Sequence, residues 1–410
     1  MAQLRTSQPA TAFQESSYRW VIVTMTAVTG FVGVGFPTSS LPVLFSEIAE
    51  SLNLDLVQIG FIWGAVAFMG VFTVLLGGPF IDYVGTRRSM IIICVAIGIT
   101  GLLRSFATDF WSLFAYSFLF GVVQAVLPVC LLRLNLLWFA PRQLGFASGV
   151  MSAGFAVGLL VGASTTATIL SPALGGWRNV LLVTGLLAVV VGVLWAVIHP
   201  RIDNQNNGQN LSTLVQQMKT ASRVRSLWIL GFVGFGIVGL MRGMVGYVPS
   251  YLRTIGWSGD SADAALSAFF LASLIGVVPL AILSDKLNSR RTALGLTASL
   301  ITAGTLLMYF ANGESFRVFA AMALAGVAFD GFMAIHNASV SEVGGMSAAM
   351  TGTSIGFGLM IRNAGGTIGP PAGNSLSEAS VNLPFLVWAG FGLLALVMIY
   401  LYQERRPGSG

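Results

Sequence analysis

Apolar stretches long enough to cross a bilayer recur along this 410-residue chain from one end to the other. A helix needs about 20 apolar residues to cross the hydrocarbon core. Lipid offers a backbone no hydrogen-bond partners, so such stretches must satisfy their own amides and carbonyls as helices. Breaking the chain at charges and turn residues leaves twelve, near 20–44, 57–80, 89–106, 110–138, 144–169, 179–198, 226–251, 264–284, 292–312, 317–340, 346–375 and 383–402. Composition agrees: 55 % of residues are hydrophobic and 9 % are charged, where a soluble domain carries about 25 % charge. A water-soluble fold is excluded, and an all-α membrane protein is expected.

The net charge of +6 lies mostly in loops and reads as an orientation signal, not as a nucleic-acid footprint. With the N-terminus cytoplasmic, fourteen basic residues fall inside: Arg5, Arg19, Arg87, Arg88, Arg142, Arg201, Lys219, Arg223, Arg225, Lys286, Arg290, Arg291, Arg405 and Arg406. Only Arg178, Arg253 and Arg317 fall in outer loops. That asymmetry places both termini in the cytoplasm; a cell (inner) membrane is the expected location. The segment before the first stretch is polar and lacks a signal-peptide pattern, so the first stretch is expected to be retained. Cys94 and Cys130 fall inside apolar runs and read as buried free thiols. No metal-ligand cluster, Walker-type loop or nucleophile–base pair stands out, so neither an enzyme nor a cofactor is expected.

One polar connection, from His199 to Ser226, divides the stretches six and six. Leu211, Leu214 and Met218 within it are spaced like one face of a short surface helix. The expected units are residues 1–198, a cytoplasmic linker 199–225, and 226–410. The two sixes are related. Asp82 aligns with Asp285, and Arg87 and Arg88 with Arg290 and Arg291, at one offset (285 − 82 = 203). The same offset puts Gly149 on Gly352 and Gly162 on Gly365. A duplicated bundle of this kind is the repeat architecture of secondary transporters.

Those residues resemble the major facilitator superfamily, and the resemblance covers nearly the whole chain. The family's loop after the second span reads here Gly78, Asp82, Tyr83, Val84, Gly85, Thr86, Arg87, Arg88. Tyr83 and Thr86 stand where basic residues are frequent, and the second copy has Asn288 in place of the glycine. The resemblance implies twelve transmembrane helices in two six-helix bundles, related by a pseudo-two-fold axis around a central cavity. It also implies that Asp82, Gly85, Arg87, Arg88, Asp285, Arg290 and Arg291 belong to gating contacts between helix ends. Plain positive-inside anchoring explains the arginines but not the paired aspartates.

The segment from Trp138, WFAPRQLGFASGVMSAGFAVGLLVG, is similar to that of family members carrying small anions such as cyanate, nitrate and monocarboxylates. Proton-coupled drug exporters of the family often carry a Gly-Pro pair in the fifth span. Here Ala163 follows Gly162, and no proline comes before Pro172.

Charges inside the stretches are the candidates for function. Asp330 is the only acidic residue in the middle of a predicted span. A carboxylate there costs at least about 2.5 kcal/mol on insertion scales, and such residues are usually functional or paired. Arg242 and Arg362 are also mid-run and far from either interface, so each should face protein or water. The family fold puts both near Asp330, around one cavity. Two arginines against one aspartate leave a positive excess, and a guanidinium fork suits carboxylate-like oxygens. The rival reading is a structural charge cluster. Asn363 and Arg133, with Gln124 and Ser39, complete the candidate solute contacts; Arg133 could equally snorkel to the interface, and the last two could equally join helices. Asp330 either holds an arginine until substrate displaces it or carries a proton. His336 is the second titratable candidate, though it lies about 120° from Asp330 around the helix and suits packing. Arg104, at an outer end, is expected to snorkel to the interface.

The expected function is alternating-access transport of a small anionic solute, proton-coupled, by a monomer. The alternatives are a proton-antiporting exporter of cationic or lipophilic compounds and a non-transporting membrane sensor.

Overall fold

The computed structural model describes residues 17–198, 211–287, 289–343 and 351–403. These are helical throughout, joined by short turns. The helices that fall on the twelve predicted stretches are called spans and numbered in chain order: 1 Arg19–Leu52, 2 Leu56–Val84, 3 Thr86–Ser105, 4 Phe110–Trp138, 5 Gln143–Leu174 and 6 Trp177–Ile198. They continue as 7 Arg225–Thr254, 8 Gly259–Leu287, 9 Arg290–Ala311, 10 Ser315–Ser341, 11 Thr351–Asn374 and 12 Leu383–Leu401. Among the described residues, eleven helices are long and apolar enough to cross a membrane. Span 11 is a continuous 24-residue helix but carries Arg362, Asn363, Thr367 and two prolines. It packs against spans 2, 7 and 12, where polar groups can meet protein. The short helix predicted in the linker is present at Leu211–Ala221.

Helix starts and stops follow their residues. Asp55 and Gln58 form a reciprocal capping box that begins span 2, and Asp109 with Ser112 does the same for span 4. Gly85, at φ 92°, makes the sharp break between spans 2 and 3 that another residue would adopt only under strain.

Prolines shape spans 1, 4 and 5. Pro37 has no amide proton to give Gly33, four residues earlier. The helix widens into a π-turn over Phe31–Gly35, and the Gln124 amide of span 4 donates to the Gly33 carbonyl at 3.3 Å. Pro128 in turn deprives the Gln124 carbonyl, and span 4 breaks between Gln124 and Leu127. Span 5 repeats the device, with a π-turn over Thr166–Leu170 two residues before Pro172. An apolar cavity of about 150 Å³ lies beside these turns, against span 6. Its lining comes entirely from spans 1, 5 and 6, away from the mid-span charges.

The pairings of the first six spans recur in the last six: 1 with 5 and 7 with 11, 2 with 4 and 8 with 10, 3 with 6 and 9 with 12. Corresponding glycines make corresponding contacts: Gly121 presses on the Val66 backbone in span 2, and Gly326 on the Phe269 backbone in span 8, at offsets of 205 and 203 (326 − 121 and 269 − 66). Between the two sets, spans 2 and 11, 5 and 8, and 1 and 7 meet. Several of these meetings lie on the side away from the linker, called here the far side. Ser46 bonds Ser250 at 3.2 Å, and the Asn374 amide donates to the Leu56 carbonyl at 2.7 Å. Gly60 lies against Pro371 and Gly64 against Thr367.

Span 1 runs to Leu52, beyond its predicted end near residue 44, although Glu47 lies in the extension. The Glu47 carboxylate accepts from the Ser171 hydroxyl at 2.7 Å and from the Trp177 amide at 2.8 Å. It thereby caps the N-terminus of span 6, where an anion is favoured. Glu47→Ala leaves both donors bare and is expected to lower the unfolding free energy by about 2 kcal/mol. Denaturant unfolding in detergent checks this; an unchanged midpoint would contradict it.

Candidate functional site

Arg242 and Arg362 meet in one seam. Along span 7, Gly234 leaves room for the stem of Arg362: a Cβ built there would lie 3.0 Å from Arg362 Cγ. Along span 11, one turn past Arg362, Gly366 leaves room for Arg242, with Arg242 Cγ 3.4 Å from its Cβ position. Small residues on each helix thus seat the arginine of the other.

The two guanidiniums have different partners. That of Arg242 lies over the indole of Trp63 in span 2, 4.3 Å from carbon to ring centroid. Trp63 Nε1 also donates to the Arg242 carbonyl at 2.9 Å. Arg242 Nη1 is buried and has no hydrogen-bond acceptor. Arg362 Nη1 donates to Asn337 Oδ1 of span 10 at 3.3 Å. Asn363 sits over Gly70 of span 2, its amide nitrogen 2.6 Å from where a Cβ would stand.

Asp330 is not paired with either arginine. Its Oδ2 accepts from the Ser273 hydroxyl at 2.7 Å, and its backbone N–H donates to the Ser273 hydroxyl oxygen at 3.1 Å. The carboxylate therefore faces span 8, whereas the arginines occupy the seam of spans 7 and 11. Among the described residues, ion pairs form at the helix ends, Arg253 with Asp263, Arg290 with Glu342 and Arg317 with Glu314. None joins the mid-span charges.

His336 is 1 % exposed, and its Nε2 lies 2.8 Å from the Leu230 carbonyl, which fixes that nitrogen as the donor. Its ring stacks on Phe332, and Nδ1 is buried without a partner. It joins span 10 to span 7, and its Nε2 also borders Gly234 beside the Arg362 stem. Ser39 is fully buried, with its hydroxyl 3.4 Å from the carbonyls of Gly35 and Gly158. Gln124 is taken up by the Gly33 carbonyl described above and lies 3.5 Å from the Thr38 hydroxyl. Arg133 is exposed near the linker end of span 4.

Arg104 differs from its expected interfacial position. It is 2 % exposed and lies over Phe120, 3.9 Å from the ring centroid. Side chains on a helix lean toward its N-terminus, which for span 3 points into the bilayer.

The loop arginines close helix ends. Arg87 donates to the Ala196 carbonyl of span 6. Arg291 donates to the Ile399 and Tyr400 carbonyls of span 12 at 3.1 and 2.6 Å. Ile399 is Ala196 shifted by the repeat (399 − 196 = 203), so both last helices receive cations at their carbonyl ends. Arg290 reaches Ser284 at 3.0 Å and Glu342 at 3.1 Å, and Arg88 is exposed. The side chains of Asp82 and Asp285 lie outside the described residues.

The family model for the Major Facilitator Superfamily matches residues 26–361 and, in a second match, 232–410. A probable sulfoacetate transporter of Cupriavidus necator is 25 % identical over 383 residues, covering 86 % of this chain and 87 % of the relative. A 3-(3-hydroxy-phenyl)propionate transporter of Escherichia coli is 25 % identical, with 88 % of each chain covered. Among solved structures, an inward-facing, unoccupied bacterial homolog of the human lysosomal transporter Spinster superposes with a TM-score of 0.77. It is 13 % identical and covers 97 % of this chain and 98 % of its own, so the likeness is one of fold. By the match over most of its length, this chain is a member of the major facilitator superfamily.

Proposed function

We propose that this protein is a secondary active transporter that moves a small, carboxylate-like anion by alternating access, coupled to protons. In this reading two six-helix bundles, related by a pseudo-two-fold axis, rock about a central site in an inner membrane. The monomer is the working unit, and both termini are cytoplasmic. Arg242 and Arg362 hold the anion, with Asn363 beside them.

The observation that carries the reading is the buried Arg242 Nη1 with no acceptor, in the same seam as Arg362 and with Asp330 turned away. A buried donor without a partner costs about 1–3 kcal/mol. An anion supplies the missing acceptor. With Asp330 on Ser273, neither guanidinium has a counter-charge among the described residues, which disfavours a cationic solute. The relatives' names point the same way, since sulfoacetate and hydroxyphenylpropionate are anions.

Ligand-dependent thermal unfolding tests the reading. Sulfonates, carboxylates or nitrate should stabilise the purified protein, by about 2.7 kcal/mol at a hundred times Kd. Stabilisation by organic cations alone would contradict it.

Asp330, bonded to a hydroxyl instead of a cation, is the group assigned to carry the proton. Asp330→Asn should keep anion exchange yet accumulate no anion in response to a pH gradient. Uptake by proteoliposomes after a pH jump reads this; undiminished accumulation would remove Asp330 from coupling.

A further inference from the structure

We propose that Trp63 is a positioning residue that ties anion occupancy of Arg242 to closure of the far side. The inference rests on the anion reading above and adds a residue from the opposite set of helices.

Trp63 is 2 % exposed and spends both of its binding modes on one residue. Its Nε1–H goes to the Arg242 carbonyl, and its ring face lies under the Arg242 guanidinium. Span 7 meets the indole closely as well: a Cβ at Gly246 would lie 2.8 Å from Trp63 Cδ1. On either side of Trp63, Gly60 and Gly64 bring span 2 onto Pro371 and Thr367 of span 11. Phe45 of span 1 packs edge-on against the same indole at 5.9 Å. Trp63 therefore stands inside the far-side seal while touching the proposed anion ligand.

The consequence is mechanical. Opening the far side parts span 2 from spans 7 and 11, so the indole leaves Arg242. A ring engages a guanidinium by its face and leaves its edge nitrogens, Nη1 among them, for an anion. Closing the seal over a bare guanidinium strips its water without replacing it. Closing over an anion-bound guanidinium does not. Occupancy thus favours the sealed state by a differential interaction, which is what a ligand needs to shift an equilibrium.

The test introduces Ser46→Cys, a far-side position bonded to Ser250 across the two sets. Cys94 and Cys130 are both buried, so an impermeant maleimide reports the new thiol. Labelling rates are read on purified protein in detergent, with and without millimolar sulfoacetate, in native, Trp63→Phe and Trp63→Leu backgrounds. Without sulfoacetate, Trp63→Leu should label about tenfold faster than native. Trp63→Phe keeps a ring and should fall between, which separates a lost latch from a damaged fold. Sulfoacetate should slow labelling in native and Trp63→Phe protein but not in Trp63→Leu. Native-like labelling of Trp63→Leu, or equal slowing in all three backgrounds, overturns the proposal. Arg242→Ala separates the two readings. If it binds sulfoacetate as native protein does, the anion site fails. If it loses binding while Trp63→Leu labels like native, the anion site stands and the latch fails.

Discussion

Arg362→Ala is expected to abolish uptake of the cognate anion, and Arg362→Lys to restore little of it. The Arg362 stem is seated against Gly234, and its Nη1 is held by Asn337. The head group is thus pre-placed, and a solute need not spend binding energy ordering it. Removing one side of a buried, hydrogen-bonded charge contact costs about 2–5 kcal/mol, or roughly thirtyfold to several thousandfold in affinity. Lysine keeps the charge but not the planar fork, so it cannot bond Asn337 and an anion with the same geometry. Initial rates of labelled anion uptake into proteoliposomes give the result. Rates within about threefold of native for Arg362→Ala would remove it from the site.

The second large effect is expected at a residue that carries no charge. Gly64→Leu should leave a folded, monodisperse protein that transports about a hundredfold more slowly. A Cβ at Gly64 would stand 2.5 Å from the Thr367 carbonyl oxygen, a backbone atom that cannot rotate away. The clash exists only while spans 2 and 11 are closed together, so opening the far side relieves it. Overpacking of about 3 kcal/mol on that one state lowers its population more than a hundredfold. Uptake together with the melting temperature separates the possibilities. Lost uptake with a near-native melting temperature is expected; native uptake would show that spans 2 and 11 need not close here.

Much of the architecture was legible because lipid leaves the chain few choices. Apolar run length located the spans to within a few residues wherever charges bounded them. It failed at Glu47, where a carboxylate that normally ends a run is satisfied by Ser171 and Trp177 instead. The duplication was visible at Asp82 and Asp285, and the offset of 203 reappears in the acceptor carbonyls of Ala196 and Ile399, which Arg87 and Arg291 bond at the ends of spans 6 and 12. Pro37 forbids a regular helix around it, but nothing in the sequence shows that Gln124 serves the carbonyl it leaves open.

The candidate site was legible in its charges and not in their partners. Arg242, Arg362 and Asp330 stand out because each is expensive in a hydrocarbon setting. Which charge meets which depends on helix rotation, and no periodicity within one helix reports that. Asp330 therefore faces Ser273, an ordinary hydroxyl in an apolar run, instead of an arginine. Trp63 and Asn337 carried no signal beyond being an aromatic and an amide in a membrane helix. Gly234 and Gly366 seat the two arginines, but nothing in the sequence sets them apart from the chain's other glycines.

The central claim is that Arg242 and Arg362 act on one anion. A double-mutant cycle in equilibrium binding tests it most directly, using labelled sulfoacetate or whichever anion most stabilises the protein. Native, Arg242→Ala, Arg362→Ala and the double variant are compared at fixed salt and pH. Shared contact predicts strong coupling: each single variant loses most of the affinity, and the double loses little more. Losses that simply add, or native affinity in either single variant, would contradict a common site.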